Sequence, residues 1–184
     1  TVLLTVYKRK NLRTQLKAVL NQTIRPARLI VFQNEHHTSL PVRRLRTLGV
    51  EIVRNSSNTL YFGRFAHLLN VDTKYVAVMD DDIIPGPACL QNYLNQVKSL
   101  NAIIGGNGRI GLRNQYRELL EKPRDTGRRP HPVLVDFVGH LWVFEKKLLH
   151  DMFSIEPQTL TTGEDMHLCF AAKLVSGVPS FAGS

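Results

Sequence analysis

The stretch Tyr75-Val76-Ala77-Val78-Met79-Asp80-Asp81-Asp82 decides how this sequence is expected to fold. Its first five residues are a continuous apolar run, which is typical of a strand that is buried on both faces of a sheet. Three carboxylates follow directly. In an open α/β sheet, ligands bind outside the carboxyl ends of the strands. The stretch therefore predicts a central strand and also the edge of the sheet at which a site lies.

The three adjacent carboxylates repel one another, so a cation is expected to offset their charge. Mn²⁺ or Mg²⁺ fits this need, because such hard ions take oxygen ligands and bridge to phosphate. Alternate residues of an extended segment face the same side, which predicts that Asp80 and Asp82 share one ligand while Asp81 points away. The alternative is an acidic turn that only caps the following helix.

Short apolar runs and helical patterns alternate along the rest of the chain. Strands are predicted near residues 3–7, 29–32, 50–53, 102–104, 133–138 and 141–144. A last helix is expected to open at Thr162-Gly163-Glu164-Asp165 and to end at Gly177, with Leu174 on its packed face. This alternation favours an α/β fold with a mixed, mostly parallel central sheet and helices on both faces. Residues 105–132, rich in Gly, Arg and Pro, are interpreted mostly as a mobile loop.

The length and charge narrow the class of protein. A chain of 184 residues suits one domain with one sizeable core. No apolar run approaches the roughly 20 residues that span a bilayer, so no transmembrane segment is expected. The net charge of +9 suggests an anionic partner, such as nucleotide phosphates, nucleic acid or a membrane surface.

Several motifs, taken in order, resemble the glycosyltransferases of the Rossmann-like GT-A fold. The closest similarity is to family 2, with some similarity to exostosin-type transferases. The resemblance covers nearly the whole chain and rests on Val2 to Tyr7, Leu29 to Phe32 with Asn34-Glu35, Tyr75 to Asp82, Gly139-His140 with Trp142, and Gly163-Glu164-Asp165. It implies a metal-dependent enzyme of the hexosyltransferase class. Such an enzyme moves a sugar from a nucleotide-diphosphate sugar, here expected to be UDP-linked, to a hydroxyl of a glycan or other acceptor.

The resemblance also implies a nucleotide-binding part at about 1–85 and an acceptor and catalytic part at about 86–184, together with roles for single residues on the donor side. Asp80-Asp81-Asp82 matches the Asp-x-Asp motif of these enzymes, in which Asp80 contacts the ribose and Asp82 ligates the Mn²⁺ or Mg²⁺ ion. We include Asp80 as a second metal ligand. The other positions that match the nucleotide-sugar site are Thr5, Val6, Tyr7, Arg9, Asn34, Arg64, His140 and Trp142.

On the acceptor side, Asp165 matches the carboxylate that faces the acceptor hydroxyl, with Glu164 as the second choice. Many relatives supply a further metal or phosphate ligand beyond this point, and His167 is the candidate here. A carboxylate within hydrogen-bond reach takes the acceptor proton, and the segment from Gly105 to Arg129 is expected to be a lid that excludes water. Two local alternatives need no catalysis: a capping box from Thr162 to Asp165, and plain core packing of His140 and Trp142.

Location is inferred from the cysteines and from the two ends of the sequence. The two cysteines, Cys89 and Cys169, show no metal spacing and fit a reducing compartment, which favours the cytoplasm. The sequence has no initiator Met, and its last residues start a new apolar stretch, so an excerpt of a longer chain is expected. If that chain is exostosin-like, the Golgi lumen becomes the alternative location.

Two other functions compete with glycosyl transfer. A nucleotidyltransferase acting on a sugar phosphate usually has a glycine- and basic-rich loop after the first strand, but the segment from Tyr7 to Asn11 contains no glycine. A non-enzymatic basic module that binds nucleic acid fits the net charge, yet the Asp triplet would repel a phosphate backbone. We therefore expect a nucleotide-sugar donor and a hydroxyl acceptor as partners, and no nucleic acid.

Overall fold

The computed structural model describes residues 1–112, 115–118 and 130–184 of the chain. Its strands are β1 (Val2–Val6), β2 (Leu29–Gln33), β3 (Glu51–Arg54), β4 (Tyr75–Met79), β5 (Ile103–Leu112), β6 (Gln115–Glu118), β7 (Val133–Val135), β8 (Phe137–Glu145) and β9 (Ser180–Ala182). Its helices are α1 (Leu12–Leu20), α2 (Val42–Thr47), α3 (Gly63–His67), α4 (Cys89–Leu100), α5 (Leu148–Ser154) and α6 (Glu164–Ser176), and a 3₁₀ turn follows α3 at Leu68–Asn70.

The described strands form one mixed sheet in the order β3-β2-β1-β4-β8-β5-β9-β7, with β6 paired to β5. The first four strands are mutually parallel, which confirms the prediction from the alternating pattern. β8 is antiparallel to both β4 and β5, which makes the sheet mixed, as predicted. Because β1, β2 and β4 are parallel neighbours, their carboxyl ends meet at one edge of the sheet.

Two apolar cores lie on opposite faces of this sheet. Along β1, Leu3 packs with α3, α5 and α6, whereas Leu4 packs with α1, α2 and α4. This alternation follows from the period of two in a strand and places helices on both faces, as predicted. Each core side chain removes apolar area from water at about 25 cal/mol per Å², so the two cores hold the sheet edge rigidly beneath the site.

The interpretation of residues 105–132 as mostly a mobile loop is wrong for its first part, because β5 runs through Gly105, Gly106 and Gly108. Glycine is a poor strand former, but at Gly108 the side chains of other strands already fill the space that a Cβ would occupy. A Cβ on Gly108 would lie 2.6 Å from Cγ1 of Val135 and 2.8 Å from Cβ of Ala182. The predicted lid therefore loses residues 105–112 and 115–118 to strands, and its remainder at 113–114 and 119–129 lies outside the described residues.

Two further predictions need correction. The predicted break at Gly139-His140 is absent, because β8 continues through both residues and the chain instead breaks at Asp136, between β7 and β8. Leu174 was expected on the packed face of α6 but is 78% exposed, and residues 173–177 at the end of that helix are all exposed. Among the described residues, no helix combines the length and the apolar character that crossing a bilayer requires.

Candidate functional site

A cleft of about 480 Å³ opens at the carboxyl ends of β1, β2 and β4. Its size suits a small-molecule ligand, and its place is the usual one in an open α/β sheet. The predicted residues that line it are Thr5, Tyr7, Arg9, Asn34, Arg64, Asp80, Asp81, Asp82 and His140. Lys8, Phe32, Asn58, Leu60 and Tyr61 also line it.

Asp80, Asp82 and His140 form the centre of this cleft. One ligand atom from each residue lies within 4.8 Å of the other two. The His140 Nδ1 is 3.8 Å from Oδ2 of Asp80 and 3.9 Å from Oδ1 of Asp82. Two carboxylates suit a hard divalent ion, and the imidazole is compatible with a transition ion such as Mn²⁺. The donor set therefore fits the predicted metal. His140, for which the sequence suggested a sugar contact, could supply the third ligand atom.

The register between β4 and β8 explains why His140 reaches the aspartates. β4 and β8 are antiparallel, and Met79 pairs with Leu141. The residue after Met79 is Asp80 and the residue before Leu141 is His140, so these two residues lie opposite each other. The backbone N–H of Asp80 donates to the His140 carbonyl at 2.9 Å. His140 has a φ of 66°, a left-handed conformation that is uncommon for residues other than glycine. Such strain persists where the surroundings over-determine it, and it clusters at functional sites.

The acidic segment is a turn and not an extended chain. The Ile83 N–H donates to the Asp80 carbonyl at 3.1 Å, and the Gln15 side chain donates to that carbonyl at 2.7 Å and to the Ile83 carbonyl at 3.0 Å. The prediction that Asp81 points away from the site is therefore wrong. Asp81 lines the cleft beside Asp82, because the turn brings both carboxylates to the same side.

Arg9 is an exposed cation of the cleft that contacts the acidic turn. Its guanidinium donates to Oδ1 of Asp81 at 3.2 Å and also pairs with the carboxylate of Asp82, although the side chain remains 53% exposed. The hydrogen bond to Asp82, and then the charges of both aspartates, raise the pKa of Arg9. Arg9 thus reaches the acidic turn from the segment that follows β1. Because it lines the cleft, its charge is also available to an anion bound there.

Arg64 is the buried cation of the cleft, with a side chain only 7% exposed. One end of its guanidinium pairs with Asp80, and the other donates to Oε1 of Glu164 at 2.8 Å. Burial raises the pKa of the Asp80 carboxyl and that of the Glu164 carboxyl, and the charge of Arg64 opposes both effects. A single cation therefore serves carboxylates from two different elements.

Two residues predicted to contact the nucleotide sugar lie in the core instead. Val6 is 2% exposed and packs with the α1 side of the sheet. Trp142 is 1% exposed, donates its Nε1–H to the Val138 carbonyl at 2.7 Å and packs edge-on against Phe65. The packing alternative thus describes Trp142 but not His140. His140 and Trp142 are two positions apart on β8, so alternation alone would place both side chains on the same face. They differ because Trp142 pairs with Val78 within the sheet, whereas His140 lies beyond the pair of Met79 and Leu141 and has a left-handed backbone.

Asn34 lines the cleft, but its amide is fully occupied by the protein. Nδ2 donates to Oδ1 of Asn58 and to the Leu60 carbonyl, and Oδ1 accepts from the N–H and the hydroxyl of Thr59. An amide has two donors and one oxygen with two lone pairs, so these bonds use its capacity. Asn34 holds the loop before α3 against the cleft, where Asn58 donates to the Tyr7 hydroxyl at 3.2 Å.

Sequence reasoning did not select Asn58, Leu60 or Tyr61. The available signal was the polar run that precedes them, which indicates a loop near the carboxyl end of β3. The left-handed backbone of Leu60, with a φ of 53°, was not visible in the pattern.

The two predicted catalytic carboxylates open α6 just outside the cleft lining. Gly163 precedes the helix with a φ of 80°, which glycine adopts without strain, and no side chain among the described residues caps it. The capping-box alternative is therefore wrong. Oδ2 of Asp165 lies 3.6 Å from the position that a Cβ on Gly139 would take, so Asp165 faces the strand that carries His140. His167 instead hydrogen-bonds the Met152 carbonyl at 2.8 Å, away from the aspartates.

Comparisons with solved structures support the fold. A crystal structure of residues 1–349 of S. aureus TarS is similar with a TM-score of 0.65 and 16% identity, over 99% of this chain and 58% of that one. A second crystal structure of S. aureus TarS gives a TM-score of 0.65 and 14% identity, over 98% of this chain and 34% of that one.

This chain therefore spans less than two thirds of either structure. At such identities the likeness shows the fold, which is the predicted GT-A fold. A search of curated protein sequences found no significant match. The family profile described as "Glycosyl transferase family 2" matches residues 1–153, and the chain therefore belongs to that family.

Proposed function

We propose that this chain is a metal-dependent catalytic domain that moves a sugar from a nucleotide-diphosphate sugar, UDP-linked, to a hydroxyl of a glycan or other acceptor. One observation carries the proposal: ligand atoms of Asp80, Asp82 and His140 lie within 4.8 Å of one another in a cleft at the carboxyl edge of the sheet. Family membership supports glycosyl transfer, and the cleft supports a phosphate-bearing donor.

Asp80, Asp82 and His140 would hold a divalent ion, with Mn²⁺ or Mg²⁺ as the candidates. When bound, such an ion offsets the charge that grows on the leaving diphosphate. Arg9 is placed to add to that effect, because it is mostly exposed and already reaches the edge of the acidic turn. Tyr7 offers an aromatic face beside the cleft for the base, and its hydroxyl is fixed by Asn58.

Asp165 is the proposed general base. Its carboxylate is half-buried next to Gly139, and Oδ1 accepts the N–H of Met166 at 2.7 Å, which leaves Oδ2 facing β8. Glu164 is the weaker candidate, because its carboxylate is already engaged by Arg64. A base accepts a proton best when no cation holds its lone pairs, so the two neighbouring carboxylates have different roles.

Calorimetry tests this function most directly. UDP and GDP are titrated into the wild type with and without Mn²⁺, and the same titrations are made with Asp82→Ala. We expect binding that requires Mn²⁺, favours UDP, and is lost in the variant. Asp72→Ala is the matched control, because Asp72 pairs with Arg28 away from the cleft and should leave binding unchanged. Absence of nucleotide binding by the wild type in the presence of Mn²⁺ contradicts the proposal.

A further inference from the structure

Arg64 connects two carboxylates that belong to different parts of the proposed site. Asp80 follows β4 and lines the donor cleft, whereas Glu164 opens α6 and stands beside Asp165. The guanidinium touches both, with Nη1 on Asp80 and Nη2 at 2.8 Å from Glu164. Glu164 itself does not line the cleft, so any effect of its charge on the donor site has to pass through Arg64 or through space.

The surroundings of Arg64 limit how its guanidinium can move. Its central carbon lies 4.9 Å from the ring of Trp142, 5.4 Å from Phe65 and 5.7 Å from Tyr61. Within the described part of the chain, its buried Nε–H has no hydrogen-bond partner. The group is therefore held by the aromatic rings and by its two carboxylates, and a change at either carboxylate alters the balance between them.

We propose that Arg64 is a positioning residue that links cation binding at Asp80 to the placement of Glu164-Asp165 at the start of α6. One positive charge is shared between two negative ones. A second cation at Asp80 competes with Arg64 for that carboxylate, so Arg64 engages Glu164 more fully and fixes the first turn of the helix that carries the proposed base. Linkage requires the reverse as well: the state of Glu164 alters the affinity of Asp80 for a cation.

The inference deepens the proposed function and rests on it. The planar fork of arginine suits the task, because it presents separate donors to two carboxylates at once, whereas a lysine ammonium is a single point charge. Removing the charge of Glu164 leaves Arg64 to Asp80 alone and makes the site more positive. Removing the charge of Arg64 has the opposite effect. The two single variants are therefore expected to change Mn²⁺ affinity in opposite directions.

The test is Mn²⁺ binding to the full chain, measured by calorimetry with and without UDP, with folding checked by circular dichroism. Glu164→Gln should weaken Mn²⁺ binding about three- to tenfold, and Arg64→Gln should strengthen it. In the double variant, the effect of Glu164→Gln should largely disappear. Glu145→Gln is the matched control, because Glu145 is also ion-paired but lies at the opposite end of β8. Arg64→Lys replaces Arg64→Gln if the latter does not fold, and it should reduce the effect of Glu164→Gln.

The outcomes separate the two proposals. If the wild type binds Mn²⁺ and UDP but Glu164→Gln binds Mn²⁺ as the wild type does, the link through Arg64 is wrong while the function stands. An equal effect of Glu164→Gln with and without Arg64 also overturns the link, because the charge then acts through space. If the wild type binds neither Mn²⁺ nor UDP, the function fails and the inference fails with it.

Discussion

His140 shows how much the role of a residue depends on its backbone. The sequence predicted that both His140 and Trp142, two positions further on, contact the nucleotide sugar. The β4–β8 register instead separates the two, with His140 beside Asp80 and Trp142 under Arg64. The sequence could therefore indicate that His140 matters but not which ligand it serves, because the left-handed φ and the pairing of distant strands are properties of the folded chain.

Asp165 and Glu164 show the same limit for adjacent residues. Both are acidic, so the sequence ranked them only by resemblance. The fold gives Glu164 a buried cation and leaves Oδ2 of Asp165 facing β8. Neighbouring positions on a helix point about 100° apart, and this rotation alone is enough to send one carboxylate to Arg64 and the other to Gly139.

Replacing Asp165 with Asn should separate chemistry from donor binding. The amide keeps the size of the side chain but cannot accept the acceptor proton, so we expect kcat to fall by about a hundredfold or more. Mn²⁺-dependent UDP binding should remain, because Asp165 does not line the cleft. Sugar transfer and calorimetry on the same preparation measure the two effects. Glu156→Gln, at an exposed position before α6, is the control. A variant with wild-type kcat would show that another group accepts the proton.

At the scale of elements, the apolar pattern predicted the parallel strands well, because β1, β2 and β4 are buried on both faces and contain few polar residues. It found only the start of β5, because four glycines, Asn107 and Arg109 hide the rest of this strand. Strand propensity reflects packing against neighbours, and the strands that pair with β5 are β6, β8 and β9, which all follow it in the chain. No local pattern contains that information.

The loop between β3 and α3 is a second element whose role was not predicted. It carries Asn58 and Tyr61 to the cleft, and the amide of Asn34 holds it there through bonds to three of its residues. A donor-contact role for Asn34 was predicted from its position at the end of β2. The bonds of its amide indicate that it acts on the loop, and through the loop on the cleft.

Asn34→Ala should therefore affect both stability and donor binding. Each lost hydrogen bond is worth about 1 kcal/mol, and partial compensation by water gives an expected loss of about 1–2 kcal/mol. For a chain of this size that is a fall of roughly 2–8 °C in Tm. UDP affinity should fall several-fold because Tyr7 loses the support of Asn58. Thermal unfolding and calorimetry measure these effects, with Asn95→Ala on α4 as the control. Unchanged Tm and affinity would show that the loop holds its place without Asn34.

At the scale of the whole molecule, buried charge lies beside the apolar core that contains Phe65 and Trp142. The sequence predicted that the carboxyl edge of the parallel strands would hold the site, because that edge follows from topology alone. It could not predict that Asp80 and Glu164, 84 positions apart, would share Arg64, since their distance depends on how α6 docks against β8. Topology is readable from local patterns, whereas the pairing of buried charges depends on the complete fold.

This buried charge should make stability depend on pH in a definite direction. Burial raises the pKa of Glu164 above its ordinary value of 4.5, so the unfolded chain releases this proton at lower pH than the folded chain does. The contribution of Glu164 to stability is therefore fully present below pH 4.5 and is lost as pH rises through the folded value. Glu51 and Asp72, which pair with Arg28, have lowered pKa values and therefore stabilise the fold more as pH rises. The pH dependence of the wild type alone thus does not isolate the contribution of Glu164.

The difference between Glu164→Gln and the wild type isolates the effect. Glutamine does not titrate, so the Tm of the variant minus that of the wild type should rise as pH increases from 4.5 to 7, whatever constant offset the lost ion pair causes. Thermal unfolding with a chelator present, at constant ionic strength, measures this difference, and Glu145→Gln serves as the control. Asp80 adds to the rise of this Tm difference with pH. In Glu164→Gln, Arg64 pairs with Asp80 alone and favours the charged form of that carboxylate. A difference that stays flat or falls with pH would mean that burial does not govern the ionisation of Glu164.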